Sequence, residues 1–186
     1  YTHRQWGEGH LLKMRGYFDM TINCVRKKEH FFVYHFRKQG PEIQKIGQFP
    51  SLADISNDEV SALRKTMNPN DSRELHKAIG LAAHGVGVGS FVYLRRVFER
   101  LIYQRFEEVK KQQGWEDADF YKSKMEDKIK LLSDHLPNFL VENRRIYSIL
   151  SVGIHELDEK ECLSWFGVMK KSIQIILEDD AKKRED

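Results

Sequence analysis

Gly89-Ser90-Phe91-Val92-Tyr93-Leu94-Arg95-Arg96-Val97-Phe98-Glu99-Arg100-Leu101-Ile102 decides how the chain is read. Phe91, Leu94, Phe98, Leu101 and Ile102, continued by Phe106 and Val109, recur at steps of three and four, the spacing that aligns one face of an α-helix. The stripe predicts a long helix with that face in a core. Arg95, Arg96, Glu99 and Arg100 fall outside it and form a basic row with an acidic member at helical spacing.

Downstream, Gln112-Gln113-Gly114 ends the helix, and a charged helix is expected at about 121–135, with Met125, Ile129 and Leu132 inward and Pro137 as its stop. Phe139 to Ser151 reads as another helix. Asp158-Glu159-Lys160-Glu161 opens a last one, since an acidic first turn suits the positive helix end. Its stripe of Cys162, Phe166, Met169, Ile173 and Ile176 places Cys162 in a core, and Glu178 to Asp186 reads as a charged tail that frays.

Upstream, Asn68-Pro69-Asn70-Asp71 is a turn-forming boundary, with Asp71 as expected N-cap and Glu74 three residues on. The helix after it meets Gly85, Gly87 and Gly89, each costing about 1 kcal/mol against alanine in a helix interior. The expectation is a continuous or slightly kinked helix with tight packing at the glycines. Helices joined by short loops predict an antiparallel bundle over 71–186.

Before residue 57 the texture changes. Phe18, Met20, Ile22 and Cys24 alternate with polar residues, and Phe31 to Phe36 is aromatic and β-prone. A small antiparallel meander is expected at about 17–26, 29–38 and 41–47, turning at Gly40-Pro41, within a β-rich subdomain at 1–56. A short helix and linker over 57–70 joins it to the bundle. The class is α+β, mainly α.

Bulk properties bound the function. The 186 residues, 40% hydrophobic, can bury one good core and a satellite. The net charge of +3 is the remainder of 31 basic and 28 acidic residues, so nucleic-acid binding has to rest on a local patch. Cys24 and Cys162 have no zinc-type spacing, and a reducing cytoplasm is expected. No apolar run approaches the roughly 20 residues of a membrane span. Neither metal nor cofactor is expected.

A second stretch carries chemistry: Glu142-Asn143-Arg144-Arg145-Ile146-Tyr147-Ser148-Ile149-Leu150-Ser151-Val152-Gly153-Ile154-His155-Glu156. Together with Leu94-Arg95-Arg96 and Glu99, its Gly153-Ile154-His155 turn resembles the HEPN superfamily, in a branch associated with prokaryotic defence and restriction proteins. The resemblance covers about 72–179 and rests on helix order and on Arg95, Arg96, Glu99, Gly153 and His155. It implies a helical bundle that self-associates through the 91–109 helix and binds RNA or a nucleotide.

Members that cut RNA use an Arg and a His a short step further on, in a site shared by two subunits. Histidine supplies a general acid or base near neutral pH beside the ribose 2′-hydroxyl, and the cation holds the phosphate. By that resemblance His155 and Arg145 are the catalytic candidates for a metal-independent RNase, and Arg95, Arg96, Glu99, Arg100 and Arg144 are the candidate anion- or nucleic-acid-binding set. Nine residues separate Arg145 from His155, a departure from the RNase motif. Arg4 and His10 have the family's spacing but lie outside the bundle.

Each feature also has a plainer reading. His155 can cap a turn between helices, and the arginines can form an ion-paired surface row. Gly85 to Ser90 resembles a phosphate-cradling loop without the following lysine. Cys24, His30 and His35 match no zinc template. Phe31, Tyr34 and Phe36 among Arg26, Lys27, Lys28, Arg37 and Lys38 suit single-stranded bases, and equally a solvated hairpin edge guarded by cations. Two functions follow, an RNA-binding or RNA-cleaving defence protein and a non-catalytic module that binds a partner protein or ligand.

Overall fold

Alternation of apolar and polar residues builds the N-terminal sheet, and steps of three and four build everything after it. The computed structural model describes residues 2–3, 16–27, 29–57, 67–115, 117–152 and 156–185. It divides into two units, Tyr1–Ile55 and Ser56–Asp186.

In the first unit β1 (Thr2–His3), β2 (Gly16–Asn23), β3 (Phe31–Gln39) and β4 (Glu42–Phe49) form an antiparallel sheet in that order. Phe18 lies opposite Phe36, Met20 opposite Tyr34 and Ile22 opposite Phe32, so the alternating apolar positions of β2 and β3 share one face. The Phe18 and Phe36 rings stack at 5.2 Å, the kind of cross-strand pair that stabilises a sheet. Gly40, at φ 60°, makes the β3–β4 turn. A short helix not anticipated from sequence, α1 (Leu52–Asn57), follows. Ser51 and Asp54 cap its start reciprocally, with the Asp54 amide donating to Ser51 Oγ and the Ser51 amide to Asp54 Oδ2. Beyond Asn57 the helix expected at 57–67 lies largely outside the described residues.

The second unit contains α2 (Pro69–Ala83), α3 (Gly87–Gln113), α4 (Asp117–Lys122), α5 (Met125–Leu131), a 3-10 turn (Ser133–His135), α6 (Asn138–Glu142), a 3-10 segment (Arg144–Ser151) and α7 (Glu159–Glu185). Asn68 caps α2, its side chain accepting from the Asp71 amide at 2.9 Å with Pro69 at the first helical position. The cap therefore sits three residues before the expected Asp71, which lies in the first turn.

The α2–α3 junction is a break, where a continuous helix was expected. Gly85, at φ 79°, donates to the Ala82 carbonyl and Val86 to that of Leu81, the paired bonds of a Schellman termination. Two residues on, the Gly87 and Val88 amides donate to the carboxylate of Glu159 at the start of α7. An added Cβ at Gly87 would overlap the Glu159 backbone carbonyl. The first glycine ends one helix; the second lets another helix approach the next.

α3 is the centre of the core. Phe91, Leu94, Phe98, Leu101, Ile102, Phe106 and Val109 are all buried, together with Leu75, Ala78 and Ile79 of α2 and Met169, Ile173 and Ile176 of α7. Directions alternate along the chain. Arg100 reaches back to Asp71 and Glu74, so α2 and α3 are antiparallel. Contacts of Phe120 with Phe106, Tyr147 with Phe98, and Val152 with Arg95 show the middle segment running back along α3. α7 starts at Gly87 and reaches Arg105 with Asp180, hence parallel to α3.

The two middle helices expected over 121–135 and 139–151 are shorter pieces. Arg144–Ser151 is a 3-10 segment, in which the buried Tyr147 and Leu150 stand three residues, one such turn, apart. The expected fraying tail is helical through Glu185, because Asp180 meets Arg105 and Lys183 donates to the His135 carbonyl at 3.4 Å. Among the described residues no helix is long and apolar enough to cross a membrane.

Two glycine substitutions should have opposite signs. Gly87→Ala drives a methyl into the Glu159 carbonyl and should cost about 2 kcal/mol. Gly167, inside α7 with nothing within 4 Å of its added Cβ, should gain up to about 1 kcal/mol as alanine. Urea unfolding followed by circular dichroism checks both.

Candidate functional site

Helix α3 places Arg95 and Glu99 one turn apart, and the two side chains pair at 2.9 Å, each about one quarter exposed. Arg95 also donates through Nη1 to the Val152 carbonyl at 3.3 Å. The arginine row is thus fastened to the end of the segment that continues into Gly153-Ile154-His155. His155 and Gly153 lie outside the described residues, as do Arg4 and His10.

The remaining arginines divide by partner. Arg100 bonds to Asp71 through Nε and to Glu74 through Nη2, each at 2.5 Å, and Asp71 is 2% exposed. A carboxylate buried so deeply requires its cation, so Arg100 clamps α2 to α3. Arg144 approaches Glu126 of α5 at 4.0 Å and donates to the Val141 carbonyl. Arg96 is exposed and stands 6.0 Å from the Tyr93 ring, which Lys77 of α2 also approaches at 5.7 Å. Arg145 is exposed too. Among the described residues neither Arg96 nor Arg145 has a carboxylate partner. The structure therefore joins Arg95, paired with Glu99, to Val152, assigns Arg100 and Arg144 internal pairs, and leaves Arg96 and Arg145 facing solvent.

The glycine-rich start of α3 is an anion site whose anion is Glu159, on two main-chain amides at the positive end of the helix. Sequence reading missed this role, because the partners are 72 residues apart. Behind Arg95, Tyr147 stacks on Phe98 at 4.9 Å and shares a 2.7 Å hydrogen bond with Ser172, which donates in turn to the Val168 carbonyl. The pattern joining these residues is three-dimensional, with no local signature.

On the sheet, Tyr34 and Phe36 share a face with Phe18 and Phe32, whereas Phe31 and Arg37 lie on the other. The rings and cations read together from sequence are thus divided between faces; Lys28 lies outside the described residues. His35 pairs with Asp19 at 2.7 Å, and among the described residues no group of three or more His, Cys, Asp or Glu is placed to hold a metal ion. Comparison with known proteins brings no family model, no curated protein and no solved structure that matches the chain.

The two free cysteines are in contrasting settings. The backbone amides of Lys27 and Arg26 pull the Cys24 thiol below its ordinary value, while burial and the nearby Glu159, Asp158 and Glu161 push that of Cys162 up. In native protein a thiol-specific disulfide reagent should label Cys24, its rate levelling off below the usual thiol pH, with Cys162 reacting only after denaturation. Rapid labelling of both would contradict this. The arginines should separate as well. Arg100→Met strands the buried Asp71 and should cost about 2 kcal/mol, whereas Arg96→Ala should stay within about 0.5 kcal/mol, both read by denaturant unfolding.

Proposed function

We propose that the helical unit is a HEPN-like module of a prokaryotic defence system that binds RNA or a nucleotide in the cytoplasm. The observation supporting this most is the bond from Arg95, itself held by Glu99, to the Val152 carbonyl. It ties the two stretches on which the resemblance rests. Arg96 and Arg145 supply the phosphate-binding charge, since among the described residues they have no carboxylate to neutralise them.

In this reading Arg95 and Glu99 are positioning residues for the turn carrying His155. His155 takes the proton of a ribose 2′-hydroxyl, whose oxygen bonds to phosphorus as the P–O5′ bond breaks; the products are a 2′,3′-cyclic phosphate, its charge neutralised by Arg145, and a 5′-hydroxyl that takes its proton from water. The non-catalytic alternative keeps the same cations for binding alone. A second copy would dock on the side of α3 away from the 91–109 apolar stripe, around the exposed Arg96 and the half-buried Val92 and Tyr93, because that stripe is buried within the chain.

Fluorescence anisotropy with labelled single-stranded RNA tests the reading. The wild type should bind with an affinity that falls as salt rises, and Arg96→Ala/Arg145→Ala should weaken it about tenfold while lowering the salt slope by about 1–2. Unchanged affinity in the double variant, or no binding by the wild type, would overturn nucleic-acid binding at these cations. His155→Ala should abolish cleavage and retain binding; an RNA left uncut by the wild type, or cut equally by the variant, ends the catalytic reading.

A further inference from the structure

Lys128 is 5% exposed, yet among the described residues no carboxylate pairs with it. Its ammonium donates to the Tyr103 hydroxyl at 3.0 Å and lies 4.8 Å from the Tyr103 ring and 5.4 Å from that of Phe120. Ring faces attract a cation and one hydroxyl satisfies one of its protons. The other two N–H bonds have no acceptor among the described residues. A desolvated ammonium in that condition favours an anion beside it.

There is space for one. A cavity of about 440 Å³, within the range of small-molecule sites, opens beside the C-terminal end of α3 and is lined by Gly114, Trp115, Phe120, Ser123, Asp127 and Lys128 together with Leu131. Phe120 is buried and Trp115 half-buried, stacked against Phe106 at 6.1 Å, so the lining offers flat apolar surface as well as charge. Asp127, its only carboxylate among these residues, is solvent-exposed and acts through water. Gly114, at φ 66°, turns the chain so that Trp115 follows directly.

We propose that this cavity binds a small aromatic anion, its carboxylate or phosphate accepting from the Lys128 ammonium and its ring lying against Trp115 and Phe120. The site is separate from the arginine row and does not depend on RNA binding there. A flat anion satisfies both halves of the lining at once, where an inorganic ion would use only the lysine and a neutral ring only the walls.

Isothermal titration of the full chain with phenyl phosphate, benzoate and the neutral benzyl alcohol tests this, with Trp115 emission as a second readout. Phenyl phosphate or benzoate should bind saturably and at least about tenfold more tightly than benzyl alcohol, as charge-assisted hydrogen bonds require. The anion that binds better identifies phosphate or carboxylate as the group recognised. Lys128→Met should abolish the preference and, by removing a buried charge, melt no lower than the wild type without ligand. Trp115→Phe should remove the emission change and retain the preference. Equal affinity for anion and alcohol, no saturable binding of either anion, or an undiminished preference in Lys128→Met overturns the proposal. The wild-type comparison decides even where a variant fails to fold.

Discussion

The carboxylate of Glu159 on the first amides of α3 is the contact on which the helical unit depends. Four amides at a helix start lack intrahelical partners, and the aligned peptide dipoles make that end positive. An acidic side chain from another helix satisfies both needs and fixes the starts of the two longest helices side by side. Only glycine at 87 permits the approach, because the Glu159 backbone carbonyl takes the place of a Cβ. With those ends fixed, Arg105 meets Asp180 far along both helices, and the stripe of α3 faces that of α7 between the two contacts. The middle segment closes the opposite side, placing the Tyr147 ring on Phe98 and its hydroxyl on Ser172.

Burial then sorts the charges. Asp71 is almost completely enclosed, so the Arg100 beside it is committed to stabilising the fold. Arg96, one turn away on the same helix, is exposed and lies near Tyr93. Identical residue types four positions apart thus have different physical work, decided by α2. Arg95 is intermediate: its pair with Glu99 is local, but its bond to Val152 is long-range, and that bond positions rather than neutralises.

These relations explain how far the sequence could be read. Local periodicity made α3 legible from Phe91 to Val109, and the same logic found three strands of the sheet and the left-handed glycine that ends α3 at Gly114. It failed where a local pattern had two physical solutions. Gly85 and Gly87 fit a packed helix as well as a Schellman stop followed by a close contact, and only the distant Glu159 distinguishes them. Glu178 to Asp186 looked like a solvated tail because its partners, Arg105 and His135, belong to other elements. The arginine row was visible as a row, while its division into clamps, a positioning group and exposed cations depended on Asp71, Glu74 and Val152. Lys128 gave no sign at all, lying in a charged segment that suggested an exposed face.

Lys128 and Glu159 are two charges met in opposite ways. Glu159 is an exposed residue whose carboxylate takes the unpaired amides of α3, so the chain itself supplies its partner. Lys128 is buried. It finds the rings of Tyr103 and Phe120 and the hydroxyl of that same tyrosine, which suit a cation without neutralising it. A methionine of similar length would fill that space without carrying charge into it. The lysine is therefore the more costly choice for packing alone, and the cavity beside it is where an anion would reverse that cost.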